Sequence, residues 1–154
     1  MAVKVLMVCL GNICRSPLAE GLLQQKTDPE NIVVDSAGTG GFHIGNAPDD
    51  RSIAVAAKYG LDISKQRCRK LATKDLDTFD LIYAMDKSNY RNIVALARTN
   101  EQRNKIRLLL SETNLEIDEV PDPYYGGKDG FENVYQMIDQ ACEAIAKKLQ
   151  AKNQ

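Results

Sequence analysis

The stretch Val3-Lys4-Val5-Leu6-Met7-Val8-Cys9-Leu10-Gly11-Asn12-Ile13-Cys14-Arg15-Ser16-Pro17 decides the fold, because an apolar run stops at a cysteine, passes through Gly-Asn and restarts as a helix. Val3 to Val8 reads as a buried strand, and Pro17, with no N–H to lose, fits the first helical position. Cys9 and Arg15 stand at the two ends of the loop between them. If the loop curls, the backbone N–H groups from Leu10 through Gly11, Asn12, Ile13 and Cys14 to Arg15 converge on one point. The N-terminus of the following helix reinforces that concave anion site. Gly11 permits a positive φ there, and Asn12 tolerates one. Such donors favour a thiolate at Cys9, and the planar fork of Arg15 matches two equatorial phosphoryl oxygens. The predicted chemistry is a cysteine nucleophile attacking phosphorus.

Blander readings compete with it. A C-x5-R spacing arises by chance, and a buried strand-end thiol would look the same. The strand before the loop, the Gly-Asn within it and the Ser-Pro after it each supply a part that an anion cradle needs. A nucleotide-type P-loop is excluded by the missing Gly-Lys-Ser/Thr ending. Zinc does not fit either, since Cys9, Cys14, Cys68 and Cys142 form no C-x2-C pair and the chain has one histidine. Neither a metal nor another cofactor is expected.

With 154 residues, 44% of them hydrophobic, the chain can bury one core, so a single domain over 1–154 is expected. A net charge of −1 gives no basis for a nucleic-acid or membrane partner. The first apolar run is too short to span a membrane and merges into Gly-Asn rather than a cleavage site. A reducing, cytoplasmic setting follows, and four cysteines without a disulfide-scaffold pattern agree with it. The sequence leaves the oligomeric state open.

Apolar runs at Val3–Val8, Ile32–Val34, Leu81–Met85 and Ile106–Leu110 alternate with helical patterns, which predicts an α/β fold on a parallel sheet. Helices are expected after Pro17, over Ile53 to Tyr59 closed by Gly60, over Ser88 to Arg98, and over Phe131 to Leu149. The last is the clearest: Val134, Ile138, Ala141, Cys142, Ile145 and Leu149 recur at three- and four-residue spacing. In such a fold, ligand chemistry belongs at the carboxyl ends of the strands, where Cys9 falls.

Val120-Pro121-Asp122-Pro123-Tyr124-Tyr125-Gly126-Gly127 reads as neither helix nor central strand, because two prolines and a Gly pair oppose both. Asp and Pro are ordinary turn formers, and the tyrosines could simply pack. Beside a cysteine loop, however, a stiffly held Asp122 supplies what phosphoryl transfer still lacks, a general acid for the leaving oxygen.

Taken with Asp35-Ser36-Ala37-Gly38-Thr39 and Ala84-Met85-Asp86-Lys87-Ser88-Asn89, these segments make the chain resemble the low-molecular-weight protein tyrosine phosphatases over nearly its whole length. The resemblance implies a four-stranded parallel sheet flanked by helices on both faces, with the phosphate-binding loop after the first strand. It further implies metal-free hydrolysis of phosphotyrosine, on a protein or a small aryl phosphate, through a phosphocysteine. Cys9 would be the nucleophile, Arg15 the clamp, and Asp122 the acid and then the base. Asn12, Ser16 and Ser36 match the residues that brace the loop, with the Ser16 hydroxyl aimed at the thiolate. Leu10, Phe42, Tyr124 and Tyr125 match the pocket walls. Gln66 replaces a histidine that often supports the loop in this family, and His43 is expected as a solvated loop residue or a contact at the substrate rim.

Two alternatives come from other functional classes. A thiol-coupled arsenate reductase would need relay cysteines after the third strand, yet Leu81 to Tyr90 holds none, and Cys68 and Cys142 are expected to be poorly placed. A silent phosphotyrosine-binding module would be expected to lack nucleophile, clamp or acid, and all three are present. Cys14 reads most simply as a small residue filling space under the loop, but beside Cys9 in one tight loop it is also expected to capture an oxidised Cys9 as a disulfide, making the enzyme redox-regulated.

Overall fold

Side chains along the first strand alternate between two apolar layers, and that alternation organises the molecule. The computed structural model describes residues 2–125 and 127–152, the side chains of Tyr125, Lys128 and Lys152 excepted. In β1 (Val3–Cys9), Val5, Met7 and Cys9 join one buried cluster while Leu6 and Val8 join the other, as the two-residue period of a strand requires. β2 (Ile32–Gly38) and β3 (Leu81–Ala84) flank β1, and β4 (Ile106–Leu108) lies outside β3. All pairs are parallel, with Cys9 opposite Gly38 and Val8 opposite Ala84.

Helices cover both faces. On the first, α1 (Arg15–Lys26) and α6 (Gly130–Lys152) pack with α2 (Asp50–Lys58), and α6 contributes the predicted stripe from Val134 to Leu149. Cys142 is fully buried in it, a packing residue. Across the sheet, Leu76 of α3 (Asp75–Thr78), Phe79 and Ile93 of α4 (Lys87–Val94) close the second cluster. α5 (Asn100–Asn104) buries nothing and leads into β4. The chain leaves β1 for β2 and then crosses back to β3 on the other side, so the strand order reverses at β1. Open parallel sheets bind ligands at the strand ends beside such a reversal, and Cys9 is the last residue of β1.

Several boundaries differ from the sequence reading. β2 continues past Val34 to Gly38, because its polar Asp35 and Ser36 have partners that apolar periodicity does not register. β4 stops at Leu108, and Leu109–Glu112 tightens into a 3-10 turn. The expected helix from Ser88 to Arg98 is Lys87–Val94, while α3 and α5 are too short to show a period. α1 begins at Arg15, so Pro17 is its third residue rather than its first. It costs no hydrogen bond there either, since the first-turn N–H groups have no intrahelical acceptor. Among the described residues, no helix is long and apolar enough to cross a membrane.

Candidate active site

The loop after β1 is built around Asn12. Asn12, not Gly11, carries the left-handed backbone, at φ 56°, and its side chain is tied on both sides. Its Oδ1 accepts the Arg69 N–H at 3.0 Å, which fixes the amide orientation. Nδ2 then donates to Ser16 Oγ at 2.8 Å and to Ser36 Oγ at 2.9 Å. With both serine oxygens accepting, each hydroxyl proton points onward. Ser36 donates to Glu20 Oε1 at 2.6 Å, and Ser16 has Cys9 Sγ at 3.0 Å. The sulfur also accepts the Asn12 N–H at 3.3 Å. Among the described residues, the N–H groups of Gly11, Ile13, Cys14 and Arg15 find no protein acceptor. Gly38 lets this loop sit close, because a Cβ there would lie 2.8 Å from the Leu10 carbonyl oxygen.

Arg15 is buried in the first turn of α1. Its Nη1 donates to Asp86 Oδ2 at 2.7 Å and to the Val120 carbonyl at 2.9 Å. Asp86 uses its other oxygen to cap α4, accepting the Asn89 N–H at 2.8 Å. A single carboxylate thus joins the loop after β1 to the loop after β3. The Val120 contact brings in the third segment, whose half-buried Asp122 accepts the Tyr124 N–H at 2.9 Å. Cys9, Leu10, Gly11, Ile13, Cys14, Arg15, Phe42, His43, Asp122 and Tyr124 together line a pocket of about 250 Å³. Phe42, Leu10 and Tyr124 stand exposed around it. The side chain of Tyr125, the fourth expected wall, lies outside the described residues.

Burial pushes the Cys14 thiol up to about 12, against hydrogen bonding to Tyr124 and Ser52 and with help from the Asp49 charge, so it stays protonated at neutral pH. Glu20 is raised to about 7, chiefly by burial, with the Ser36 hydrogen bond opposing and the nearby Asp35 charge reinforcing. Cys68 is closer to the loop than its sequence position implied: its thiol lies 2.8 Å from the Asn12 carbonyl, which accepts its proton. Gln66 braces the start of α1, with Nε2 donating to the Pro17 carbonyl at 3.0 Å. Among the described residues, no three His, Cys, Asp or Glu side chains gather as a metal site.

A family model described as low molecular weight phosphotyrosine protein phosphatase matches residues 4–154. The chain belongs to that family. It is 44% identical over 144 residues to a putative low molecular weight protein-tyrosine-phosphatase of Synechocystis, covering 90% of this chain and 91% of the relative. With the human low molecular weight phosphotyrosine protein phosphatase it shares 41% over 153 residues, 94% of each chain. Among solved structures, YfkJ from Bacillus subtilis superposes with a TM-score of 0.92 at 36% identity, over 100% of this chain and 98% of that one. The protein tyrosine phosphatase of Entamoeba histolytica, with Hepes in its active site, gives 0.91 at 35% identity, over 99% and 100%. The protein is therefore a protein tyrosine phosphatase, with the four-stranded parallel α/β fold of these enzymes.

Sequence reasoning missed Asp86, Glu20, Asp49 and Cys68 as neighbours of this phosphatase's loop. Asp86 carried a signal only for capping the next helix, which its bond to the Asn89 N–H fulfils, and none for its contact with Arg15. Glu20 carried none, because an isolated Glu on a helix reads as a solvated one.

Proposed function

We propose that this phosphatase hydrolyses phosphotyrosine with Cys9 as nucleophile, Arg15 as phosphoryl clamp and Asp122 as acid and then base. The observation that carries the reading is that these three residues, which span 113 positions from Cys9 to Asp122, line one pocket. The Cys9 thiolate attacks phosphorus in line with the aryl oxygen, forming S–P as P–O breaks. Asp122, protonated, gives its proton to the departing phenolate. The carboxylate so formed takes a proton from the water that attacks phosphocysteine, which releases phosphate and restores thiolate and acid. With Nη1 of Arg15 held by Asp86 and Val120, Nε and Nη2 are left for equatorial oxygens, beside the N–H groups of Gly11, Ile13, Cys14 and Arg15. Ser16 donates to the sulfur and stabilises it as a leaving group in the second step.

The walls Leu10, Phe42 and Tyr124 favour an aryl phosphate, on a protein or free, over a serine phosphate too short to reach the floor. Stacking adds about 0.5–1.5 kcal/mol per aromatic pair. The test is hydrolysis of 4-nitrophenyl phosphate in excess EDTA, inhibited by vanadate, followed by kcat/KM on matched phosphotyrosine and phosphoserine peptides. Strong preference for phosphotyrosine is expected. Comparable values would refute the pocket assignment.

Cytoplasmic residence and redox control complete the reading. All four cysteines are free and buried, as suits a reducing compartment. Peroxide would oxidise the Cys9 thiolate to a sulfenic acid with release of hydroxide, and the Cys14 sulfur, giving up its proton to the departing sulfenic hydroxyl as it attacks, would displace water to form Cys9–Cys14. Dithiothreitol should then restore wild type, whereas Cys14→Ser should remain inactive in larger part after the same treatment. Equal recovery of the two would leave Cys14 as packing alone.

A further inference from the structure

Asp49, ahead of α2, takes no part in the reaction as proposed, yet three parts of the site meet on it. Its N–H donates to the Ile13 carbonyl of the phosphate loop at 2.8 Å. Oδ1 accepts the Arg51 N–H at 2.8 Å and so caps α2. Oδ2 accepts the Tyr124 hydroxyl at 2.9 Å, from 75 positions along the chain. Tyr124 in turn donates its own N–H to Asp122. An unbroken path therefore runs from Ile13 through Asp49 and Tyr124 to Asp122.

Arg51 closes over the same joint. Its Nε and Nη2 each reach an Asp49 oxygen at 3.1 Å. The guanidinium carbon sits 4.6 Å from the Tyr124 ring centroid and 4.7 Å from that of Phe131, in the first turn of α6. Tyr124 and Phe131 meet edge to face at 6.2 Å. An exposed Arg–Asp pair alone contributes little. Here the Asp49 side chain is only 14% exposed, and the pair braces one face and the hydroxyl of a phenol whose own N–H bonds to Asp122. Although burial pushes the Asp49 carboxyl up, the hydrogen bonds from Arg51 and Tyr124 hold it below the usual aspartate range, so it accepts both bonds as an anion at neutral pH.

We propose that Asp49 is a positioning residue: by latching Tyr124 it holds the Asp122 loop in register with the phosphate loop, so that proton delivery to the leaving oxygen depends on it. The idea rests on Asp122 being the acid. Breaking the latch should then harm departure of poor leaving groups and spare both good ones and ground-state binding of the oxyanion. A residue serving only as the α2 cap would show no such divergence.

Two substitutions break the latch from opposite sides. Asp49→Ser keeps a competent helix cap but is too short to reach Tyr124, and Tyr124→Phe removes the hydroxyl while leaving the cap intact. For each, kcat/KM is measured on phenyl phosphate and on 4-nitrophenyl phosphate, and inorganic phosphate is titrated as a competitive inhibitor. Expected is a loss of about tenfold or more on phenyl phosphate, a fraction of the effect of deleting a general acid outright. For Asp49→Ser the loss on 4-nitrophenyl phosphate should stay under about threefold, with phosphate inhibition changed by no more than that, whereas Tyr124→Phe, in a wall residue, is read only by its loss on phenyl phosphate exceeding its loss on 4-nitrophenyl phosphate. Added to Asp122→Ala, Asp49→Ser should cost nothing further on phenyl phosphate, because residues acting as a unit are not additive. Equal losses on both substrates, or an undiminished further loss in the double variant, would overturn the latch while the acid assignment stands. Absence of any leaving-group dependence in Asp122→Ala itself would overturn the acid assignment and the latch with it.

Discussion

Glu20 lies four hydrogen bonds from the Cys9 sulfur, through Ser36, Asn12 and Ser16, and its carboxyl is raised from 4.5 to about 7. An acid whose folded value lies above its unfolded one binds its proton more tightly when folded. It contributes stability below about pH 4.5, and that contribution is lost as the pH rises through about 7. Between pH 4 and pH 8, wild type should therefore lose on the order of 3 kcal/mol relative to Glu20→Gln, which does not titrate. Urea unfolding of both proteins at several pH values reads this directly, and parallel curves would contradict it. That Cys9, Arg15 and Asp122 would share one pocket was legible in the sequence because each is marked by its immediate neighbours: a strand end, a helix start, two flanking prolines. Asp86, Glu20 and Asp49 were not. Asp86 acts on Arg15 across 71 positions, Asp49 on Tyr124 across 75, and Glu20 on Ser36 across 16, and nothing local distinguishes them from helix caps or solvated acids.

Among the elements, β1, α1 and α6 could be read from periodicity, since their apolar positions face one cluster or alternate between two. The end of β2 could not, because Asp35, Ser36 and Gly38 are there for what they touch rather than for burial of apolar area. Gly38 pairs with Cys9, bridges to Lys70 and lies under the loop. In Gly38→Ala the new methyl group would meet backbone on one side, 2.8 Å from the Leu10 oxygen and 3.0 Å from the Gly11 carbonyl carbon. Backbone yields less readily than a side chain, so the substitution should destabilise the fold by about 1–3 kcal/mol and weaken phosphate binding as the loop shifts. Thermal unfolding with and without phosphate is the measurement. An unchanged midpoint and unchanged phosphate stabilisation would show that the loop has more room than its contacts imply.

Across the whole molecule, the reversal of strand order at β1 assembles the site. It sets the loop after β1 beside the loop after β3, and Val120, fully buried, carries the Asp122 loop to the same edge by bonding to Met85 and Arg15. A chain of net charge −1 thereby gathers donors for a dianion at one point, without needing a basic surface. The central claim is that phosphoryl transfer passes through the sulfur of Cys9. Rapid acid quenching of the enzyme during turnover of a phosphotyrosine peptide, followed by peptide mass spectrometry, tests it most directly. The account predicts a phosphoryl group on the peptide bearing Cys9, absent from Cys9→Ser together with turnover, while Cys9→Ser still binds phosphate. Appreciable turnover by Cys9→Ser free of contaminating phosphatase, or a phosphoryl group trapped on another residue, would contradict it.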